Sequence, residues 1–241
     1  MRDPEYSFGM ATKTLPKAKF EAFQFVFILG VGRSGTTVLQ NVLNSVPKVC
    51  IRGENGGAIW PLAETYSLVQ RSVEGDGRWA RDHPGDPWFG LSGVSLSGLA
   101  GALRRSFVTE VLQPPLGAQF VGFKEIRFPS RGLVEAVTWV NELFPGARFV
   151  LNFREPAAIA KSGWWRDSPR SRTHISRRQR DLARLATFLG DTGFSVQYES
   201  FHSTENERKK LFAWLNMDYQ ADRVDAVLST RLHHLQSDSN R

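Results

Sequence analysis

The stretch from Gln24 to Leu43 constrains this chain more than any other, because an apolar run, a glycine turn and helical spacing follow one another without a gap. Gln24 to Val31 is continuously β-branched, aliphatic or aromatic and is broken by glycine, which reads as a strand buried on both faces of a parallel sheet. From Thr36 onward the apolar residues fall at Val38, Leu39, Val42 and Leu43, the spacing of a helix. Between the two, Gly30, Gly32 and Gly35 permit a tight turn that exposes successive backbone N–H groups. The helix N-terminus adds its partial positive charge, and together these make an anion site. Ser34, Thr36 and Thr37 offer hydroxyls to it, and Arg33 offers a charged fork.

The rest of the chain repeats the alternation. Val49 to Ile51, Gln119 to Phe123, Arg148 to Phe153 and Ser195 to Tyr198 read as further strands. Ile59 to Val73, Leu96 to Leu112, Leu133 to Leu143, a segment opened by Pro156, Gln179 to Leu189 and Thr204 to Leu215 read as helices. Residues 1–20 look like an N-terminal arm. Residues 21–241 then form one domain, with a Gly/Pro/Asp/Trp-rich loop insertion at about 74–94. Strands alternating with helices imply an α/β fold, a mainly parallel central sheet with helices on both faces. Ligands of such sheets sit beyond the carboxyl ends of the strands, so the chemistry is expected in the loops after Val31, Ile51, Phe123, Phe153 and Tyr198.

Charge narrows the partner without naming it. The net charge of +7 implies something anionic, whether nucleotide, nucleic acid, acidic glycan or membrane surface. Seven arginines lie between Arg166 and Arg184 against only Asp167 and Asp181, a pattern that by itself reads as a solvated helix face. Cys50 is the only cysteine, which fits a reducing, cytoplasmic setting. Lys13, Lys17 and Lys19 ahead of the apolar run resemble a signal peptide. The run is short, lacks a small-residue cleavage site and passes straight into the glycine loop, so a buried strand is the better reading. It is also well below the ~20 apolar residues that span a bilayer, and no transmembrane segment is expected.

Gly30-x4-Gly35 matches the start of a Walker A loop, but that loop continues with Lys, which reaches the β- and γ-phosphates. Thr36 occupies the lysine position here, which argues against a nucleoside triphosphatase. Gly-x-x-Arg33-Ser34-Gly35-Thr36-Thr37 after a buried strand resembles the 5′-phosphosulfate loop of sulfotransferases that use 3′-phosphoadenosine 5′-phosphosulfate (PAPS). Arg33, where many members carry Lys, is similar to the tyrosylprotein and some bacterial carbohydrate sulfotransferases. The resemblance implies a P-loop-like sulfotransferase fold and PAPS as sulfuryl donor, with Gly32, Arg33, Ser34, Gly35, Thr36 and Thr37 around its 5′ end.

Further segments extend it. Arg154 ends a strand and Ser162 lies on the helix expected after it, an arginine fork and a hydroxyl suited to a terminal phosphate. The resembled family holds the nucleotide's 3′-phosphate with an Arg and a Ser at this spacing. Glu54, in Arg52-Gly53-Glu54, sits at a strand end beside the anion site, where a carboxylate can accept a proton from a substrate hydroxyl. It matches the family's catalytic base, with His83 as the alternative. Lys124 ends another strand and can stabilise the leaving oxygen, unless Glu125 simply pairs with it. Tyr198-Glu199 matches part of the family's Tyr-Glu-Asp-Leu segment, whose tyrosine helps hold the nucleotide. Trp164 and Trp165 suit either an acceptor groove or core packing.

These readings combine into transfer of a sulfuryl group from PAPS to an acceptor hydroxyl, on a glycan or glycolipid by analogy with bacterial relatives. Glu54, Lys124 and Arg33 carry the catalysis, and no metal and no nucleic acid are expected. The alternatives are a P-loop kinase-like phosphotransferase and a noncatalytic binder of nucleotides or polyanions through the arginine-rich stretch. Oligomeric state is not legible in the sequence.

Overall fold

A computed structural model describes residues 23–230 of the protein; the arm expected over residues 1–20 lies outside them. Five strands, β1 (Gln24–Gly30), β2 (Val49–Arg52), β3 (Phe120–Glu125), β4 (Arg148–Phe153) and β5 (Gly193–Gln197), form one sheet in the order β2-β3-β1-β4-β5. Every pairing is parallel. Among the described residues nine α-helices connect and flank them: α1 (Thr36–Asn44), α2 (Ile59–Glu74), α3 (Leu96–Ser106), α4 (Leu133–Leu143), α5 (Pro156–Ala160), α6 (Ser171–Leu189), α7 (Tyr198–Ser203), α8 (Glu205–Leu215) and α9 (Ala221–Ser229). The α/β class, with a parallel sheet covered on both faces, is what the structure has.

The two faces follow from the period of the strand. In β1, Phe25, Phe27 and Leu29 point into one core with residues of α2, α4 and α6. Val26 and Ile28 point into the other, with Leu39, Val42 and Leu43 of α1 and Leu211, Phe212 and Leu215 of α8. A strand that must bury both faces has no room for polar residues, which is why β1 is apolar from Phe25 onward, after the exposed Gln24. The first core is built on aromatic edges: Phe27 meets Phe123, Phe144 and Phe149 at ring-centroid distances of 4.6, 5.4 and 5.6 Å. Such tilted and edge-to-face pairs add to the burial of area.

Several boundaries differ from the sequence reading, each for a local reason. The helix expected over Leu96 to Leu112 gives way at Phe107 to a π-helical turn, Phe107–Leu112, closed by Gln113 at φ 42°. The helix expected from Gln179 starts at Ser171; its first two turns are too rich in Arg, Ser and His to show an apolar stripe. Tyr198 does not end the last strand but opens α7. α9 lies beyond Leu215, the end of the last helix legible in the sequence. Ser162 lies beyond the end of α5, which stops at Ala160. The backbone of Ser162 is extended and Gly163 follows at φ 55°, a conformation natural to glycine.

The sheet order puts the switch point at β1. β2 and β3 lie to one side of it, β4 and β5 to the other, and the chain crosses from side to side between β3 and β4. Clefts form outside the carboxyl ends of strands at such a point.

Candidate active site

The glycine loop turns between β1 and α1 with Arg33 at φ 72° and Gly35 at φ 95°. Positive φ at Arg33, a side chain with a Cβ, is uncommon and persists only where surroundings hold it. Here they do. The Arg33 Nε donates to Ser162 Oγ at 3.1 Å, and Arg154 Nη1 donates to the Arg33 carbonyl at 3.0 Å. The two residues read as a phosphate clamp therefore meet at Arg33, Arg154 from the end of β4 and Ser162 from beyond α5 rather than from the helix. Asn152 of β4 fixes the next residue, donating from Nδ2 to Ser34 O at 2.8 Å and to Ser34 Oγ at 3.0 Å. Ser34 is fully buried, so its hydroxyl shapes the loop from inside. The backbone N–H groups of Thr36 and Thr37, in the first turn of α1, have no acceptor within the helix.

Gly35 has a second reason to be glycine. A Cβ there would run into the ring of Tyr198, which packs against the loop from α7. The Arg154 guanidinium lies over the same ring, 4.5 Å from its centroid. Arg154 Nε is buried with no hydrogen-bond partner among the described residues, its approach to Glu199 being 3.9 Å. Burial pushes the Glu199 carboxyl up. The backbone N–H groups of Glu199 and Glu155, the Gln197 amide and Arg154 together bring it below its ordinary value.

On the other side of the loop, Glu54 and Lys124 form an ion pair. The pairing of Lys124 with Glu125, weighed from the sequence, does not occur. Glu125 is fully buried and turns the opposite way, accepting from the backbone N–H groups of Asn55, Gly57, Ile126 and Arg127 at 2.8–3.1 Å. It thereby ties the loop that carries Glu54 to the end of β3. Nothing in the sequence marked Glu125 for this. A carboxylate at a strand end beside a lysine looks like a surface pair until the loops are folded around it.

Between Glu54 and the glycine loop opens a cleft of about 740 Å³ lined by Gly32, Glu54, Arg127, Phe128, Trp164, Trp165, His174 and Arg178, among others. Trp165 is fixed by donating from Nε1 to the Gly32 carbonyl at 2.9 Å and lies tilted against His174, with ring centroids 5.4 Å apart. Trp164 is 56% exposed and covers Gly32, where a Cβ would lie 2.6 Å from its ring. Both thus line the cleft wall, and Trp165 also packs against the first core. Arg178 donates to the carbonyls of Phe128 and Pro129 and lies 3.6 Å over the Phe128 ring. Burial lowers its pKa, Asp181 raises it and Arg177 lowers it, yet a guanidinium keeps its charge. His83 accepts from the Gly85 backbone N–H at 3.0 Å in the exposed insertion and is not among the cleft residues. His174, singled out for nothing in the sequence, is.

A parallel sheet with a glycine loop at its switch point and an arginine fork beside it defines a phosphate-loop-like α/β fold. The comparison with protein families gives the class its name: the chain belongs to the sulfotransferase family, whose model matches residues 25–221. The structure is similar to the sulfotransferase domain of the olefin synthase from Synechococcus PCC 7002, at 15% identity and a TM-score of 0.56 over 86% of this chain and 78% of that one. That likeness is one of fold. Sulfotransferases from Mycobacterium tuberculosis H37Rv (15% identity, TM-score 0.45, 89% of this chain and 73% of that one) and Mycobacterium avium (16%, 0.42, 90% and 69%) also align. A comparison with curated proteins found no match. Among the described residues no helix is long and apolar enough to cross a membrane.

Proposed function

We propose that the protein transfers the sulfuryl group of PAPS to a hydroxyl of a carbohydrate, free or on a glycolipid, with Glu54 as the base. The observation that carries this reading is the cleft itself, with the Glu54–Lys124 pair on one side and the glycine loop on the other. Gly32, Arg33, Ser34, Gly35, Thr36, Thr37, Arg154, Ser162 and Tyr198 would hold the donor. The buried, unpartnered Nε of Arg154 supports this, since a buried donor without an acceptor suits an anion. Bound there, PAPS supplies an activated sulfuryl group and departs as adenosine 3′,5′-bisphosphate (PAP).

Glu54 takes the proton of the acceptor hydroxyl while the acceptor oxygen bonds to sulfur and the bond from sulfur to the phosphate oxygen breaks. Lys124, Arg33 and the N–H groups of the loop neutralise charge that grows on the oxygens around sulfur. Lys124 already holds the Glu54 carboxylate, so base and cation face the same reacting group from one ion pair. Trp164 and Trp165 offer ring faces on which a sugar can stack. A cytoplasmic setting belongs to this proposal, on the strength of the lone Cys50. Thr36 in the Walker lysine position weighs against a kinase-like alternative.

The test follows transfer of label from ³⁵S-PAPS to a set of glycans and glycolipids. Glu54→Gln is expected to lower kcat by about 10²–10⁴ in a protein that still binds PAP. An undiminished rate in that variant would remove Glu54 from the role of base.

A further inference from the structure

We infer that the acceptor is itself anionic, a sugar bearing a carboxylate or a sulfate next to the hydroxyl that is modified, and that Arg127 recognises this charge. The inference rests on the sulfuryl-transfer reading and adds to it the acceptor's charge and the residue that selects it.

The site's cations fall into two groups on opposite sides of the switch point. Arg33 and Arg154 belong to the loop after β1 and the end of β4, where Ser162 and Tyr198 also gather. Those groups would face the donor. Arg127 and Arg178 line the cleft on the side of β3 and Glu54, away from that cluster, and need another partner. Arg178 is spent on the carbonyls of Phe128 and Pro129, fixing α6 against the cleft wall. Arg127 is different. Its side chain is exposed, and no carboxylate among the described residues lies within salt-bridge reach of it. Glu54 is the only carboxylate lining the cleft, and Lys124 already pairs with it. The acceptor side of the cleft therefore carries an unmatched positive charge.

Arg127 is also held in register with the base. The Arg127 and Ile126 N–H groups donate to one oxygen of Glu125, and those of Asn55 and Gly57 donate to the other. One buried carboxylate thus anchors both the loop with Glu54 and the backbone of the segment with Arg127, so that the base's loop and the Cα from which the Arg127 side chain extends share one frame. A ring stacked on Trp164 with its hydroxyl toward Glu54 would place a substituent of that ring toward Arg127. A guanidinium binds carboxylate and sulfate oxygens with paired, charge-assisted hydrogen bonds.

The experiment compares acceptors that differ only at carbon 6, using PAPS and the full chain: 4-nitrophenyl β-glucuronide against the β-glucoside for a carboxylate, and N-acetylglucosamine 6-sulfate against N-acetylglucosamine for a sulfate, with the position of the transferred label read in each so that transfer to the free C6 hydroxyl of the neutral member is counted apart. The kcat/KM of at least one anionic member is expected to exceed that of its neutral partner by about tenfold or more. Arg127→Ala is expected to collapse that ratio, and Arg127→Lys to keep part of it. Using the ratio removes any general loss of activity in the variants, and thermal melts check that they fold. Equal or inverted preference overturns the inference, and so does a preference that survives Arg127→Ala. Turnover of no acceptor in the set also overturns it. A parallel titration with PAP then separates the two levels: if PAP binds, anion recognition alone has failed, and if it does not, the sulfuryl-transfer reading has failed with it.

Discussion

At the scale of single residues, the site depends on groups whose partners are fixed before any ligand arrives. Glu199 illustrates how this shows in pH dependence. Its pKa lies below the ordinary carboxylate value of 4.5 despite the opposing effect of burial. A depressed folded-state pKa contributes stability that is present above the unfolded value and is lost as pH falls through the folded one. Wild type is therefore expected to lose stability relative to Glu199→Gln as pH drops below about 4.5, and to keep its advantage, damped by the half-exposed position of the carboxylate, at neutral pH. Thermal melts of both proteins across the acid range check this, and a difference that does not change with pH would contradict it. Among the candidate site residues, Arg33, Arg154, Ser162 and Glu54 carry charge or hydroxyls at loop positions, and Lys124 carries a charge at the end of the buried strand β3, where packing does not require it, so their types stand out in the sequence. Glu125 and His174 do not stand out, because their surroundings come from loops distant in sequence.

At the scale of elements, the glycine loop is held in place by its neighbours in the sheet. Asn152, next to the carboxyl end of the buried strand β4, is the link: its amide reaches across to both the carbonyl and the hydroxyl of Ser34. Asn152→Ala would leave two buried acceptors without a donor, a cost of about 1–3 kcal/mol. The urea midpoint is expected to fall with the slope unchanged, and PAP affinity to weaken alongside it. A midpoint equal to wild type would show that β4 does not fix the loop. Strands and helices with clean periods were readable, with α4 and β4 falling on their expected bounds. The arginine-rich opening of α6 was not, because its inner face is built from Ser171, Ile175 and Arg178 rather than from a plain apolar stripe. Of the seven arginines there, only Arg178 is buried, so the solvated-face reading holds for the rest. The short α5 was misjudged in length. Gly163 turns the chain out soon after it ends, and that turn is what delivers Ser162 to Arg33.

At the scale of the whole molecule, the order of strands divides the work. Residues at the ends of β1, β4 and β5 gather around one side of the loop, and those after β2 and β3 around the other, with the two tryptophans crossing over as a wall between loop and cleft. In the proposed function the first side holds the donor nucleotide and the second its acceptor. In that function the loop serves a nucleotide with a 3′-phosphate, clamped through Arg154, rather than a triphosphate. Isothermal titration calorimetry with PAP and with ATP tests it most directly, on wild type and on Arg154→Ala. PAP is expected to bind more tightly than ATP, and Arg154→Ala to weaken PAP by roughly ten- to a hundredfold, as loss of charge-assisted hydrogen bonds implies. Tighter binding of ATP, or PAP affinity that survives Arg154→Ala, would contradict it.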